Sequence, residues 1–111
     1  MATSILWRVE QGQLRVQISD IVVFETVFTL QRSHRQGREA IASAVLPLIE
    51  LPGIVLPGKR RYRRIFELYR AGRLGFADCF HVVLMKQAGI TEVLSFDSDF
   101  DGLDTIVRRQ A

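Results

Sequence analysis

Residues 75–101 read GFADCFHVVLMKQAGITEVLSFDSDFD, and this stretch establishes the fold class. Its first part predicts a helix that begins at Phe76 or Ala77 and ends at Gly89, because glycine is common just past the end of a helix. Its second part, Glu92–Phe96, predicts a strand that leads directly into a group of acids. A helix followed closely by a strand is typical of βαβ units, whose strands are parallel.

The rest of the chain continues the same alternation, with glycine and proline marking the ends of short elements. Strands are predicted at Leu14–Ile18, Ile54–Leu56 and, near the end of the chain, Ile106–Val107. Helices are predicted at Ala2–Glu10, from Ser19 or Asp20 to about Arg35, at Arg38–Glu50 and from about Lys59 to Ala71. The alternation predicts an α/β fold in which a parallel sheet is flanked by helices.

Length and composition narrow the class of protein further. A chain of 111 residues, 48% apolar and 24% charged, has room for one globular domain over residues 1–111, which excludes a two-domain enzyme. No uncharged stretch approaches the roughly 20 residues that span a bilayer, so no membrane helix is expected. Cys79 is the single cysteine, which excludes an internal disulfide and a cysteine-based zinc site, and we expect it to be buried. With no secretory signal at the start, the expected location is the cytoplasm.

Charge is unevenly distributed along the sequence. Seven basic residues and one acid, Glu67, lie between Lys59 and Arg73, whereas Glu92 to Asp104 contains five acids and no base. A basic surface beside an acidic site is typical of a metal-dependent enzyme that acts on a polyanion. The alternative is that Lys59–Arg64 is only the solvated beginning of a helix.

Two acids lie in apolar helical surroundings. Glu25 is the only charged residue in Ile21–Leu30, so we expect it to be half-buried; the alternative is a position at the margin of an amphipathic helix. Asp78 lies in the first turn of its helix, where interaction with the helix dipole alone could explain it. Either acid could also be a ligand in a functional site.

Three further carboxylates, Asp97, Asp99 and Asp101, follow the strand that ends near Phe96. The carboxyl ends of parallel strands form the edge of the sheet where ligands bind. Residues 97–102 match the first six positions of a calcium EF-hand loop, but Arg108 stands where the loop needs glutamate. The Asp-x-Asp pattern at Asp97 also occurs in haloacid-dehalogenase phosphatases. In that family the nucleophilic Asp precedes a long α/β domain, and too few residues follow Asp97 for this interpretation.

The succession ISDIVVFETVFTL (18–30), GFADCFHVVLMKQAG (75–89) and VLSFDSDFDGL (93–103) resembles the PIN domain, the metal-dependent nuclease fold of VapC-type toxins. The resemblance covers Leu6 to Arg109. It implies that Glu25, Asp78 and Asp97 are the acids of the active site. It also implies that Asp99 is an accessory acid and that Ser95 provides a supporting hydroxyl.

The sequence departs from the family pattern at its beginning. PIN domains begin with a strand that ends in an Asp, the first metal ligand, whereas this chain begins within what resembles the following helix. We therefore expect an N-terminally truncated PIN-like sheet. Either the strands at Leu14–Ile18 and Glu92–Phe96 close up against each other, or an apolar slot remains for a partner segment and stability is lowered.

The resemblance also implies the chemistry and the partners. Oxygen ligands select Mg²⁺ or Mn²⁺, and the substrate would be RNA. Five basic residues are candidates for contacts with the RNA backbone: Lys59, Arg60, Arg61, Arg63 and Arg64. Tyr62 is a candidate stacking surface for a base, whereas His81, in an apolar run, is expected to be a hydrogen-bonded core residue. The family further implies a cognate antitoxin and a homodimer.

Two functions remain open at this point. The first is a metal-dependent endoribonuclease, the toxin of a VapBC-type toxin–antitoxin pair. The second is a catalytically deficient PIN-like module that binds RNA or an antitoxin without turnover, because one ligand position is vacant. An apolar helix face with Phe24, Phe28 and Leu30 could be a dimer surface, but core packing is the expectation.

Overall fold

The computed structural model of the protein describes residues 2–94 and 107–109. Its helices are α1 (Ala2–Glu10), α2 (Asp20–Arg32), α3 (Arg38–Ile49), α4 (Tyr62–Arg70) and α5 (Phe76–Ala88). Its strands are β1 (Val16–Gln17), β2 (Ile54–Val55), β3 (Glu92–Leu94) and β4 (Val107–Arg109). A 3-10 turn at Lys59–Arg61 precedes α4.

The strands form two parallel pairs, which confirms the predicted α/β class. In the first pair Val16 lies opposite Ile54, and in the second Glu92 lies opposite Val107. Crossover helices separate β1 from β2, as parallel pairing requires. The first two strands are shorter than the sequence predicts, with two residues each.

Among the described strands, β1 and β3 are not neighbours, so they do not close up against each other. The amide of Val16 donates to the carbonyl of Gly53 at 2.7 Å, and that of Ile18 to the carbonyl of Val55 at 3.0 Å. Because successive residues of a strand direct their amides to opposite sides, the N–H and C=O of Gln17 point towards the other edge. That edge has no partner among the strands described.

The core lies where α2, α3, α4 and α5 meet. Aromatic rings dominate it: the centroids of Phe66 and Phe76 are 5.1 Å apart, and those of Tyr69 and Phe76 are 5.5 Å apart. Cys79 is fully buried among them, as predicted. Phe24 and Phe28 are half-buried against this core, so the α2 face packs internally as expected.

Helix ends follow local backbone geometry. The helix α5 ends at Gly89, which has a φ of 73° as the sequence predicts. In contrast, α2 ends at Arg32 and not at Arg35, because Arg35 adopts a left-handed φ of 49° that no helix can contain. No helix in the described part of the chain is both long and apolar enough to cross a membrane.

Candidate functional site

The packing of α2 against α5 brings the helices that carry Glu25 and Asp78 together. Phe24, the residue before Glu25, contacts both aromatic rings that flank Asp78 in the sequence. Its ring centroid lies 5.3 Å from that of Phe76 and 5.0 Å from that of Phe80, with edge-to-face geometry in both cases. These contacts fix the relative position of the two helices at the level of the predicted acids.

Glu25 is exposed, so the expectation that it is half-buried is wrong. The buried positions of α2 are Val23 and Val27, and Glu25 lies between them on the opposite side of the helix. Its side chain lines an open groove of about 310 Å³. The other described residues of this groove are Val22, Thr26, Thr29, Leu30 and His34. Glu25 is therefore accessible to a ligand without the desolvation that an apolar site would impose.

Asp78 is half-buried in the first turn of α5, where the sequence places it. The residue that caps this helix is Gly75, which has no side chain to bond the free amides. A carboxylate in the first turn interacts favourably with the positive end of the helix dipole, which stabilises its ionised form. Asp78 thus lies at the beginning of a helix that packs on α2.

His81, one turn after Asp78, is exposed, so the expectation of a core histidine is wrong. The core-facing residues of α5 are Phe76, Cys79, Val82 and Val83, and His81 points away from that face. The ring of His81 lies beside that of Phe80, with centroids 6.1 Å apart in edge-to-face geometry.

The other predicted ligands, Asp97 and Asp99, and the supporting Ser95 lie outside the described residues. Within residues 2–94 and 107–109 the structure brings together no group of three or more His, Cys, Asp or Glu side chains. Glu25 and Asp78 do fit the expected metal chemically, since carboxylate oxygens are the ligands that Mg²⁺ and Mn²⁺ prefer. The convergence of all the acids on one ion stays a prediction.

The predicted RNA-binding residues differ in the contacts that their side chains make within the protein. Lys59 donates from Nζ to the backbone carbonyls of Leu51 at 2.9 Å and Ile54 at 2.8 Å. These bonds join the 3-10 turn to both ends of the short connection that leads into β2. Lys59 therefore has a structural role, which its place in a basic run does not reveal.

Two of the arginines form ion pairs on the surface. Arg63 makes bidentate hydrogen bonds to the Glu50 carboxylate, at 2.9 to 3.1 Å, and Arg64 pairs with Glu67 at 3.2 Å. Both pairs are exposed, so each contributes little to stability and can exchange for another anion at small cost.

Arg60 and Arg61 have no hydrogen bond or ion pair with any described residue. Arg60 is exposed and lines an open groove of about 480 Å³ beside β2, together with Lys59 and Arg15. Arg15 lies far from this basic run in sequence and only the β1–β2 pairing brings it there, so sequence analysis missed it. Arg61 is half-buried and packs over the ring of Phe80.

Tyr62 is fully buried, so its predicted role as a stacking surface is wrong. Its ring lies in the core beside Phe66 and Phe80. Its hydroxyl donates to Oδ1 of Asp20 at 2.5 Å. Burial, together with the nearby Asp20 carboxylate, raises the pKa of Tyr62 well above its ordinary value of 10.

The order of these helices, strands and acids agrees with a known family. A family model described as PIN domain matches residues 3–106, nearly the whole chain. No curated protein and no solved structure matches the chain significantly. PIN domains are typically metal-dependent nucleases that act on RNA, so the match supports a nuclease-like function.

Proposed function

The chain belongs to the PIN domain family, and from this membership we propose that it is a metal-dependent endoribonuclease that hydrolyses RNA phosphodiesters. The observation that carries the proposal is the pairing of the two acid-bearing helices. Glu25 is accessible on α2, and Asp78 is held in the first turn of α5, which packs against it. Family membership and the packing of the two acid-bearing helices support the same chemistry.

We propose that Glu25, Asp78 and Asp97 hold Mg²⁺ or Mn²⁺, with Asp99 as a further acid and Ser95 as a supporting hydroxyl. When bound, such an ion neutralises the charge of the phosphodiester that is hydrolysed and lowers the pKa of the attacking water. Two of these acids, Glu25 and Asp78, lie on helices that pack against each other. No side-chain base is required, and exposed His81 has no described acceptor that would orient it as one.

The substrate surface of this proposal lies on the basic segment at the beginning of α4. Arg60, with Arg15 beside it, lines an open groove in which a backbone phosphate can be contacted. Arg63 and Arg64 can exchange their surface carboxylates for phosphates, because exposed ion pairs are weak. Lys59 adds positive charge while its ammonium group stays bonded to backbone carbonyls.

The biological role that we propose is the toxin of a VapBC-type toxin–antitoxin pair. Such a protein acts on RNA in the cytoplasm, is controlled by a cognate antitoxin and forms a homodimer. The open groove beside Glu25 supports a regulator that excludes substrate by occupying it.

Cleavage of a labelled single-stranded RNA, titrated with MgCl₂ and MnCl₂, tests the proposed activity. We expect cleavage that depends on the metal and falls at least about a hundredfold in Asp78→Asn and Asp97→Asn. Glu39→Gln is the matched control, because Glu39 is an exposed acid of α3 whose partners among the described residues are Ser43 and Arg70. Cleavage that persists in EDTA, or an equal loss in Glu39→Gln, would refute the proposal.

The same assay separates the enzyme from the alternative, a PIN-like module that binds without turnover. Nucleic-acid binding that is unchanged by Asp97→Asn, with no cleavage at any metal concentration, would establish the module. Binding of Mn²⁺ that is lost in Asp78→Asn, together with cleavage, would establish the enzyme.

A further inference from the structure

Arg61 differs from every other basic residue of the segment 59–64, because its guanidinium group is held in place without a hydrogen bond to any described residue. Its Nε is buried and has no acceptor within the described residues. Its terminal nitrogens have no hydrogen bond with a described residue either. A buried guanidinium donor without an acceptor is uncommon, since the loss of its hydration is not offset.

Two neighbours hold this guanidinium group. Its central carbon lies 5.7 Å from the centroid of the Phe80 ring, in cation–π contact. On another side it lies against the backbone of Gly58, where an added Cβ would come within 2.3 Å of Nη2 and 2.6 Å of Cζ. The chain therefore leaves space for the Arg61 head group at a position where any other residue would displace it.

The location connects Arg61 with the proposed active site. Phe80 lies on α5, two residues after Asp78, and it also contacts Phe24 beside Glu25. The Asp20 carboxylate lies nearby but accepts the Tyr62 hydroxyl and makes no ion pair with Arg61. The positive charge of Arg61 is thus not neutralised by a described carboxylate.

We propose that Arg61 is a built phosphate-binding residue that anchors the RNA backbone beside the active site. This inference rests on the proposed function and refines it: one of the five basic candidates provides a fixed contact, and the others contribute charge. A guanidinium group held by aromatic and backbone contacts retains two adjacent donors that match two phosphate oxygens. Because the group is already immobilised, binding costs little side-chain entropy.

Fluorescence anisotropy with a labelled single-stranded RNA in EDTA tests the proposal without cleavage or metal. We expect Arg61→Gln to weaken binding about tenfold, the value of one charge-assisted contact, and to reduce the salt dependence by about 0.7 in log–log slope. Arg70→Gln, which removes the same charge from the ion pair with Glu39 at the other end of α4, should change the affinity less than about twofold. Arg61→Lys should recover only part of the loss, because it keeps the charge without the paired donors.

A second variant tests the position of the guanidinium group. Gly58→Ala keeps Arg61 but displaces its head group, so it should reproduce much of the loss in affinity. Thermal melting of each variant tests whether the fold is retained. Equal losses in Arg61→Gln and Arg70→Gln, unchanged binding in Arg61→Gln, or absence of RNA binding by the wild-type chain would overturn the proposal.

This outcome is distinguishable from failure of the proposed nuclease function. If the wild-type chain cleaves RNA and Arg61→Gln binds RNA normally, the anchor is refuted and the nuclease stands. If the wild-type chain cleaves no RNA but the two arginine variants differ as expected, the anchor stands and the nuclease is refuted.

Discussion

The hydroxyl of Tyr62 donates a hydrogen bond to Oδ1 of Asp20 at 2.5 Å, and this bond ties the beginning of α4 to the first turn of α2. The Tyr62 ring is fully buried, so the bond satisfies a polar group that the core would otherwise leave unpaired. Because α2 carries Glu25 and α4 follows the basic turn, the contact also joins the two halves of the proposed site.

Tyr62→Phe should lower the free energy of unfolding by about 1–3 kcal/mol at pH 7, because Asp20 loses a donor in a half-buried position. The pKa of Tyr62 is raised on folding, above the unfolded value of about 10. Its contribution is therefore complete below pH 10 and declines as the pH rises above 10. Between pH 8 and pH 11, urea unfolding should show a larger decrease in the free energy of unfolding for the wild type than for Tyr62→Phe. An equal decrease in the two proteins would contradict this explanation.

Cys79 should be chemically inert in the folded protein. Desolvation by burial is the main cause that raises its pKa to about 11, and the nearby Arg38 opposes the shift. Since the thiolate is the reactive form, labelling with a thiol reagent at pH 8 should be slow in native buffer and complete in urea. Rapid labelling of the native protein would show that the α5 face of the core is open.

Elements whose ends depend on local chemistry could be predicted from sequence. The bounds of α1 agree with the prediction, and α5 ends where Gly89 indicates. The end of α2 could not be predicted, because it depends on the left-handed backbone at Arg35, a residue with no strong preference for it. The division of the segment from Lys59 into a 3-10 turn and a helix was likewise not predicted, nor were the bonds of the Lys59 ammonium group to the carbonyls of Leu51 and Ile54.

The candidate site was harder to predict, because an apolar run does not reveal which side of a helix faces the core. Glu25 and His81 both lie in such runs and both are exposed, whereas Tyr62 lies in a basic run and is buried. Each outcome follows from the helical phase that packing selects. Partners distant in sequence, such as Glu50 for Arg63, are likewise visible only in the fold.

Gly53→Ala should destabilise the protein by about 3 kcal/mol. Its amide donates to the carbonyl of Val9 at 2.8 Å, and an added Cβ would lie 2.1 Å from the carbonyl oxygen of Leu14. Backbone atoms cannot move aside as a flexible side chain can, so α1 would separate from the β1–β2 pair. Gly37→Ala is the control, because nothing lies within 4 Å of a Cβ at that position. Similar melting temperatures for the two variants would contradict close backbone packing at Gly53.

Lys59→Met and Arg60→Gln each remove one positive charge from neighbouring positions. The first should mainly lower the stability of the fold, and the second should mainly weaken RNA binding. Lys59→Met loses two charged hydrogen bonds to the carbonyls of Leu51 and Ile54, so we expect a loss of about 2 kcal/mol in unfolding free energy. Arg60→Gln loses no described contact and should stay within about 0.5 kcal/mol of the wild type.

Binding of single-stranded RNA should be weakened more by Arg60→Gln than by Lys59→Met. The exposed Arg60 is available to a phosphate, whereas the ammonium group of Lys59 is already bonded to carbonyls. We expect Arg60→Gln to lower the salt dependence of binding, and Lys59→Met to lower it less, at temperatures where the variant is folded. Urea unfolding and anisotropy titrations at several salt concentrations measure the two effects separately. If Lys59→Met is as stable as the wild type and loses more affinity than Arg60→Gln, the roles of the two residues are reversed, and the groove beside β2 does not contact RNA through Arg60.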